Sequence, residues 1–329
     1  MVIMDCTLRD GANVVGDGFS RELTQVMLDG LTAARIPIIE MGNAKGLGAY
    51  EISGARAALT DLEYMELAQP YLGRAQVGMF LNASRFRSEN VAAAGEHGLS
   101  FLRVGSAAGD GKKTEEVIAC VKEHGMKAFY SQMKAYLLTP EELAEEAALL
   151  ESFGADEITI MDSAGTMVPE ETARYVAALK EKVRVPVGFH GHNNLGMAAA
   201  NALAAYQAGA DIIDCGLLGM ARSAGNIATE IAAALLVKYA HQGEDDFYGL
   251  LRFLNQTLIP RMEKEGYHPG IRPLDLVYGL TGAHSSFGKR FKAVAEEKQV
   301  DLFRLIAAVS AQDRKNPSEE LMRQIADRL

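Results

Sequence analysis

The run Val185-Pro-Val-Gly-Phe-His-Gly-His-Asn-Asn-Leu195 decides how this chain folds. Its first part, Val185 to His190, reads as a buried strand that ends in histidine. Residues i and i+2 of an extended segment point to one face, so His190 and His192 share a face at the C-terminal end of that strand. Two imidazoles so placed can grip one divalent cation without a bend in the backbone. A candidate third ligand, Asp10, stands in Asp5-Cys-Thr-Leu-Arg-Asp-Gly11, again just past a short apolar run. Two histidines and one carboxylate leave metal positions open for water or substrate, which is what catalysis needs.

Outward from that strand, short apolar runs alternate with helical stretches at a spacing of about thirty residues, as repeated βα units do. Eight strands are expected, near 2–6, 36–41, 76–81, 100–104, 126–131, 156–161, 185–190 and 211–215. Runs such as Ile36-Pro-Ile-Ile39 are continuously apolar, as strands buried on both faces of a parallel sheet are. Thr139 followed by Pro140, and Pro169 ahead of Glu170-Glu171, mark helix starts. Gly95, Gly98, Gly125, Gly154 and Gly209 are expected at helix exits. Eight such units in about 240 residues match a (β/α)8 barrel. A doubly wound open sheet would want a glycine fingerprint after the first strand, and Arg9-Asp-Gly-Ala-Asn13 is not one. The conspicuous polar residues Asp10, Glu40, Gln132, Asp162, His190 and His192 all fall at strand ends, which a barrel gathers at one mouth. The expected fold is an α/β (β/α)8 TIM barrel over 1–245, with a helical C-terminal extension over 246–329.

With 329 residues, 48% of them hydrophobic, the chain can bury a large core without disulfides. A formal net charge of −10 argues against a nucleic-acid surface, which needs clustered Lys and Arg. No apolar run reaches the roughly 18 residues of a membrane span, and Met1-Val-Ile-Met-Asp5 leads straight into the first strand, so neither a membrane helix nor a signal peptide is expected. Three scattered cysteines, Cys6, Cys120 and Cys215, suit a reduced, cytoplasmic setting rather than a disulfide framework.

Asp5-Cys-Thr-Leu-Arg-Asp-Gly11, His190-Gly-His-Asn-Asn-Leu195 and Ser223-Ala-Gly-Asn226 together resemble the DRE-type metal-dependent lyase superfamily, which is hydroxymethylglutaryl-CoA lyase-like. Within it the stretch from His190 to Glu230 is similar to the bacterial 4-hydroxy-2-oxovalerate aldolases almost throughout. Gly282-Ala-His-Ser-Ser-Phe287 resembles their helical C-terminal domain. The resemblance implies a metal held by Asp10, His190 and His192, with Asn226 as a further ligand. It implies that Arg9 meets an enolate oxygen and that Ser163 lines the substrate side. The metal it implies is Mn2+ first, with Mg2+, Zn2+ or Co2+ as alternatives. It implies cleavage of a 4-hydroxy-2-oxo acid to pyruvate and an aldehyde. It also implies an acylating aldehyde dehydrogenase as a partner through the C-terminal domain. The apolar content of that domain suits a second subunit as well, and so a homo-oligomer.

The chain departs from that pattern at the general base. The aldolases have a histidine three residues after the metal aspartate, where this chain has Asn13, and an amide cannot take a proton at neutral pH. Their C-terminal tyrosine is also missing from Leu280-Thr-Gly-Ala-His-Ser-Ser286, where His284 is the alternative base. Asn13 therefore keeps two other readings open, a Claisen-type lyase or synthase acting on an acyl-CoA and an oxo acid, and a catalytically impaired partner protein. Glu40 is expected to orient Arg9 or a ligand. Gly105-Ser-Ala-Ala-Gly-Asp-Gly111 lacks the lysine and spacing of a phosphate loop and reads as a flexible loop.

Overall fold

Eight parallel strands close into a barrel in chain order: β1 Val2–Asp5, β2 Ile38–Met41, β3 Gln76–Asn82, β4 Phe101–Ala107, β5 Lys127–Met133, β6 Glu157–Asp162, β7 Val187–Gly191 and β8 Ile212–Cys215. The computed structural model describes residues 1–52, 54–270 and 273–329. The closing seam pairs Val2 with Ile212 through to Asp5 with Cys215. Every expected strand is present, with ends displaced by at most three residues.

Alternate residues of each strand fill the barrel, because side chains in a strand alternate between faces. The floor is apolar: Met4, Cys6, Ile38, Phe101, Phe129 and Ile212 form one cluster, with the Phe101 and Phe129 rings stacked 4.5 Å apart. Above that floor the interior turns polar, with Glu40, Arg103, Thr159 and Asp214 all buried. The opposite parity faces the surrounding helices and supplies the main core, including Ile39, Val77, Leu102, Tyr130 and Ile160.

Helix ends follow the sequence signals. Thr139 Oγ1 accepts from the Glu142 amide, the Glu142 carboxylate accepts from the Thr139 amide, and Pro140 starts the helix Pro140–Ser152. The helix Pro169–Lys182 has Val168 at its cap, so only the Glu171 carboxylate contributes, at 3.1 Å from the Val168 amide. Gly98, Gly125, Gly154 and Gly209 leave their helices with positive φ. Gly95 instead lies inside Ser88–Glu96, where a Cβ would come within 2.9 Å of the His124 carbonyl oxygen.

After the barrel the chain is helical. Leu250, Leu254, Leu258 and Met262, from the segment between Glu244 and Lys264, pack into the core around the barrel. The helices Pro273–Thr281, Gly288–Lys298, Leu302–Ser310 and Glu319–Ala326 enclose a second core that includes Tyr278, Phe291, Leu305, Ile306 and Met322. This second unit is fastened over the barrel mouth, where Asn194 Nδ2 donates to the Asp275 carbonyl and Ser223 Oγ donates to the Asp275 carboxylate. Among the described residues no helix is long and apolar enough to cross a membrane.

Candidate active site

The turn after β1 is tight. The amides of Arg9 and Asp10 both donate to the Cys6 carbonyl, which folds the chain back and brings Asp10 over the mouth. At the end of β7, His190 and His192 point the same way, as their spacing requires, with ring centroids 5.2 Å apart. His190 Nδ1 is 2.9 Å from Asp214 Oδ2, and His192 Nδ1 is 3.2 Å from the Arg222 carbonyl oxygen. Each acceptor fixes the proton on Nδ1 and leaves Nε2 as the lone-pair nitrogen. Both Nε2 atoms then face one carboxylate oxygen, Asp10 Oδ2, at 3.5 and 3.6 Å.

These residues fit a divalent cation. One ligand atom each from Asp10, His190 and His192 lie within 4.8 Å of one another, and all three residues are buried. Among the described residues His190 Nε2 has no hydrogen-bond partner, and neither does the buried oxygen Oδ1 of Asn226. Asn226 sits opposite His192 across a β-bridge and donates Nδ2 to Asp10 Oδ2 at 3.2 Å, so its amide reaches the same point. Buried polar atoms without partners are costly, and a cation at this point would satisfy them. Cys6, His190 and Asp214 form a second close group. That group is already filled by Arg103, which donates to Asp214 and lies 3.2 Å from Cys6 Sγ.

The charges of the site are coupled. Burial pushes the Asp10 carboxyl up, but Arg9 and the two histidines outweigh it and hold it well below the usual carboxylate range. Burial drives His192 down to about 4, keeping its imidazole neutral. Burial also opposes charge on His190, but Asp10 and Asp214 prevail and raise it. Beneath, Arg103 is completely buried, pairing with Glu40 at 2.8 Å and with Asp214.

Arg9 shows how the site is positioned. Its Nε donates to Glu40 Oε2 at 2.6 Å and its NH1 lies 3.1 Å from Asp10 Oδ1, while NH2 has no partner. Its guanidinium stacks 5.0 Å from the centre of the Phe80 ring. Glu40 is fully buried, and its two oxygens are taken by Arg9 and Arg103. It therefore orients Arg9 rather than a ligand, and it is not among the residues that line the cavity. Asn13 Nδ2 donates to the Asp10 carbonyl at 2.8 Å and to its carboxylate at 3.3 Å, so this amide steadies the aspartate.

A cavity of about 620 Å³ opens above these groups. Arg9, Asp10, His190 and His192 form one end, and Ser163, Lys134, Arg222 and His284 line it further out. His284 thus faces the mouth, brought there by the C-terminal unit, with Nδ1 held by the Ser286 amide and 2.7 Å from the Ser286 hydroxyl. Burial, Arg222 and Lys134 hold the His284 imidazole well below its ordinary pKa, so it is neutral at pH 7. Ser163 Oγ accepts from the Lys134 amide, leaving its own proton free to donate.

Two expected mouth residues face the other way. Gln132 donates to the Leu143 carbonyl and to Glu146, and Asp162 accepts from the Thr166 and Met167 amides. Both occupy the outward parity of their strands, whereas Met133, Met161 and Ser163 point in. The loop 105–111 is also not free, since the Gly109 and Gly111 amides both donate to Glu146 Oε1 at 2.8 Å. Sequence reasoning missed Arg103, Asp214, Lys134 and Arg222. For the first two a signal existed, a lone charged residue inside Phe-Leu-Arg-Val and Ile-Ile-Asp-Cys, both otherwise apolar.

The chain is 34% identical over 300 residues to a 4-hydroxy-2-oxovalerate aldolase of Geobacillus genomosp. 3, covering 91% of this chain and 88% of that protein. It is 35% identical over 299 residues to the 4-hydroxy-2-oxovalerate aldolase of Thermomicrobium roseum, covering 91% and 83%. In fold it superposes on the carboxyl transferase domain of Rhizobium etli pyruvate carboxylase with a TM-score of 0.79 at 16% identity, over all of this chain and 60% of that one. The HMGL-like family model matches residues 1–255, and the chain belongs to the HMGL-like family.

Proposed function

We propose that this chain is a divalent-metal-dependent aldolase, a carbon–carbon lyase that cleaves a 4-hydroxy-2-oxo acid to pyruvate and an aldehyde. The observation that carries the reading is the convergence of Asp10, His190 and His192 on one buried point at the end of an open cavity. A cation held there by these residues and Asn226 would supply a Lewis acid for the oxygen on which charge develops. Mn2+ is the ion proposed, since imidazole and carboxylate ligands suit it.

The reaction breaks the C3–C4 bond. A base takes the proton of the 4-hydroxyl, the C–O bond becomes the aldehyde carbonyl, and the electron pair of the broken bond passes to C3 as the enolate of pyruvate. A proton returned to C3 completes the product. Arg9, permanently charged and clamped by Glu40, turns its unpartnered NH2 to the oxo acid. Ser163 donates to the substrate from the wall. His284, neutral and in the same cavity, has its lone pair on Nδ1, and takes the hydroxyl proton there in place of the histidine absent at Asn13. The proton passes by way of the Ser286 hydroxyl 2.7 Å away, which gives its own proton to Nδ1 and receives that of the substrate. The C-terminal region 246–329 is proposed as a distinct unit that completes the cavity and docks an acylating aldehyde dehydrogenase, within a homo-oligomer. Three free, buried cysteines fit a cytoplasmic setting.

The test is exchange of the pyruvate C3 protons in D₂O, followed by NMR with Mn2+-loaded protein and the metal removed before acquisition. Metal-dependent exchange that disappears in His190→Ala is expected. No exchange with metal bound would overturn the aldolase reading.

A further inference from the structure

The metal end of the cavity is accounted for by an oxo acid, and the outer end is not. Although the chain carries a net charge of −10, six basic and only two acidic side chains line this cavity. Three of the six are neutralised: Arg9 by Glu40 and Asp10, Lys45 by Asp17 at 2.9 Å, and Lys315 by Asp110 at 2.8 Å. The other three, Arg85, Lys134 and Arg222, make no ion pair among the described residues.

What these three do contact is neutral. Arg85 donates to the Lys45 carbonyl at 2.8 Å, and the Lys134 ammonium donates to the Lys315 carbonyl and lies 5.2 Å from the Phe287 ring centre. Lys134 is also held in a left-handed conformation, φ 57°, at the end of β5, which for a non-glycine residue is a strained way to aim a side chain. Burial disfavours the charge on all three. At Lys134 Lys315 adds repulsion, which Asp313 and Asp110 offset in part; at Arg222 Asp10 and Asp17 favour the charge and Arg9 and Arg85 oppose it, so that for all three burial prevails. Cations in a recess without a direct ion pair are unfavourable until an anion arrives, and a cleft lined mostly with one sign of charge concentrates ligands of the other.

The anion is not the carboxylate of pyruvate, which belongs beside Arg9 and the metal ligands. We infer that the aldehyde half of the substrate is itself anionic, with a carboxylate or phosphate ester at its far end held among Arg85, Lys134 and Arg222. This rests on the aldolase reading and specifies its substrate as a 4-hydroxy-2-oxo acid with a second acidic group. The guanidinium forks of Arg85 and Arg222 suit either oxyanion, and a cavity of about 620 Å³ accommodates more than a five-carbon acid. The added charge is a spectator. In the synthetic direction pyruvate loses a C3 proton, C3 attacks the aldehyde carbon, and the carbonyl electron pair takes a proton.

The experiment runs aldol addition to pyruvate with Mn2+-loaded full-length protein. It compares acetaldehyde and propanal with succinic semialdehyde and glyceraldehyde 3-phosphate, reading kcat/KM by product mass spectrometry, with pyruvate C3 exchange measured on the same sample. An advantage of roughly ten- to a hundredfold for an anionic aldehyde is expected, and the arm that wins separates carboxylate from phosphate. Arg85→Gln and Arg222→Gln should each lower the anionic-to-neutral ratio about tenfold. The wild-type comparison stands even where a variant fails to fold. Exchange without any preference for the anionic aldehydes overturns this inference and leaves the aldolase intact, whereas absence of exchange overturns both.

Discussion

The barrel interior and the cavity rim treat charge in opposite ways. Inside, Arg103 lies between Glu40 and Asp214, Asp214 also holds His190, and Glu40 also holds Arg9, so each charge has a partner of opposite sign. At the rim, Arg85, Lys134 and Arg222 are half-buried and make no ion pair among the described residues, while the Lys45 and Lys315 pairs are open to solvent. A paired, buried charge costs desolvation energy and returns orientation, because its geometry is over-determined. An unpaired charge at a mouth returns attraction for a ligand. The interior is therefore built to position and the rim to recognise.

The contrast breaks first at the proposed metal ligands. His190→Ala and Asp10→Ala should each reduce metal-dependent pyruvate exchange by about 10³-fold or more, since Lewis-acid stabilisation is worth several kcal/mol. If exchange survived at near wild-type rate, the three-residue cluster would not be the reaction centre. Next comes Arg103→Met, which leaves Glu40 and Asp214 buried without the cation they share, each with one remaining partner, Arg9 or His190. A loss of about 3–5 kcal/mol is expected in urea unfolding. A loss below about 1 kcal/mol would show that the interior network is not over-determined.

Asn13→Ala removes the hydrogen bonds that steady Asp10, and should weaken Mn2+ affinity about tenfold in a chelator competition. Collapse of turnover at saturating metal would instead give Asn13 a part in the reaction itself. Glu157 sharpens the interior rule, because it has no full partner and burial raises it from 4.5 to about 8, so that it stays neutral. Folded Glu157 keeps its proton over that window while the unfolded chain has lost its own. Wild type should therefore lose roughly 1.4 kcal/mol of stability per pH unit between those values, and level off above. Glu157→Gln should remove that slope, and an unchanged slope would mean the carboxyl is ionised in the barrel. The smallest effect is expected at the rim. Lys45→Ala, breaking an exposed pair with Asp17, should change stability by less than about 1 kcal/mol.

Much of this arrangement was readable before folding was considered. The βα rhythm determined the barrel because continuous apolar strands spaced by helices can bury both faces in few other ways. The i, i+2 spacing placed His190 and His192 on one face, and strand-end position placed Asp10 with them. Period 2 also explains the failures. Gln132 and Asp162 are polar and at strand ends, but they occupy the outward parity, and a one-residue error in register exchanges the faces.

What the sequence by itself determined is the set of chemical groups and the end of the barrel they occupy, because local periodicity dictates both. Only the tertiary structure decided who partners whom. Arg103 meets Asp214 from 111 residues away, and Lys134 reaches the Lys315 carbonyl across 181. It likewise decided that His284, from the helical unit, looks into the mouth rather than at solvent. Such pairings depend on the closure of β8 onto β1 and on the docking of the helical unit through Asp275. Neither leaves a mark on the local pattern, because both are set by how distant surfaces pack.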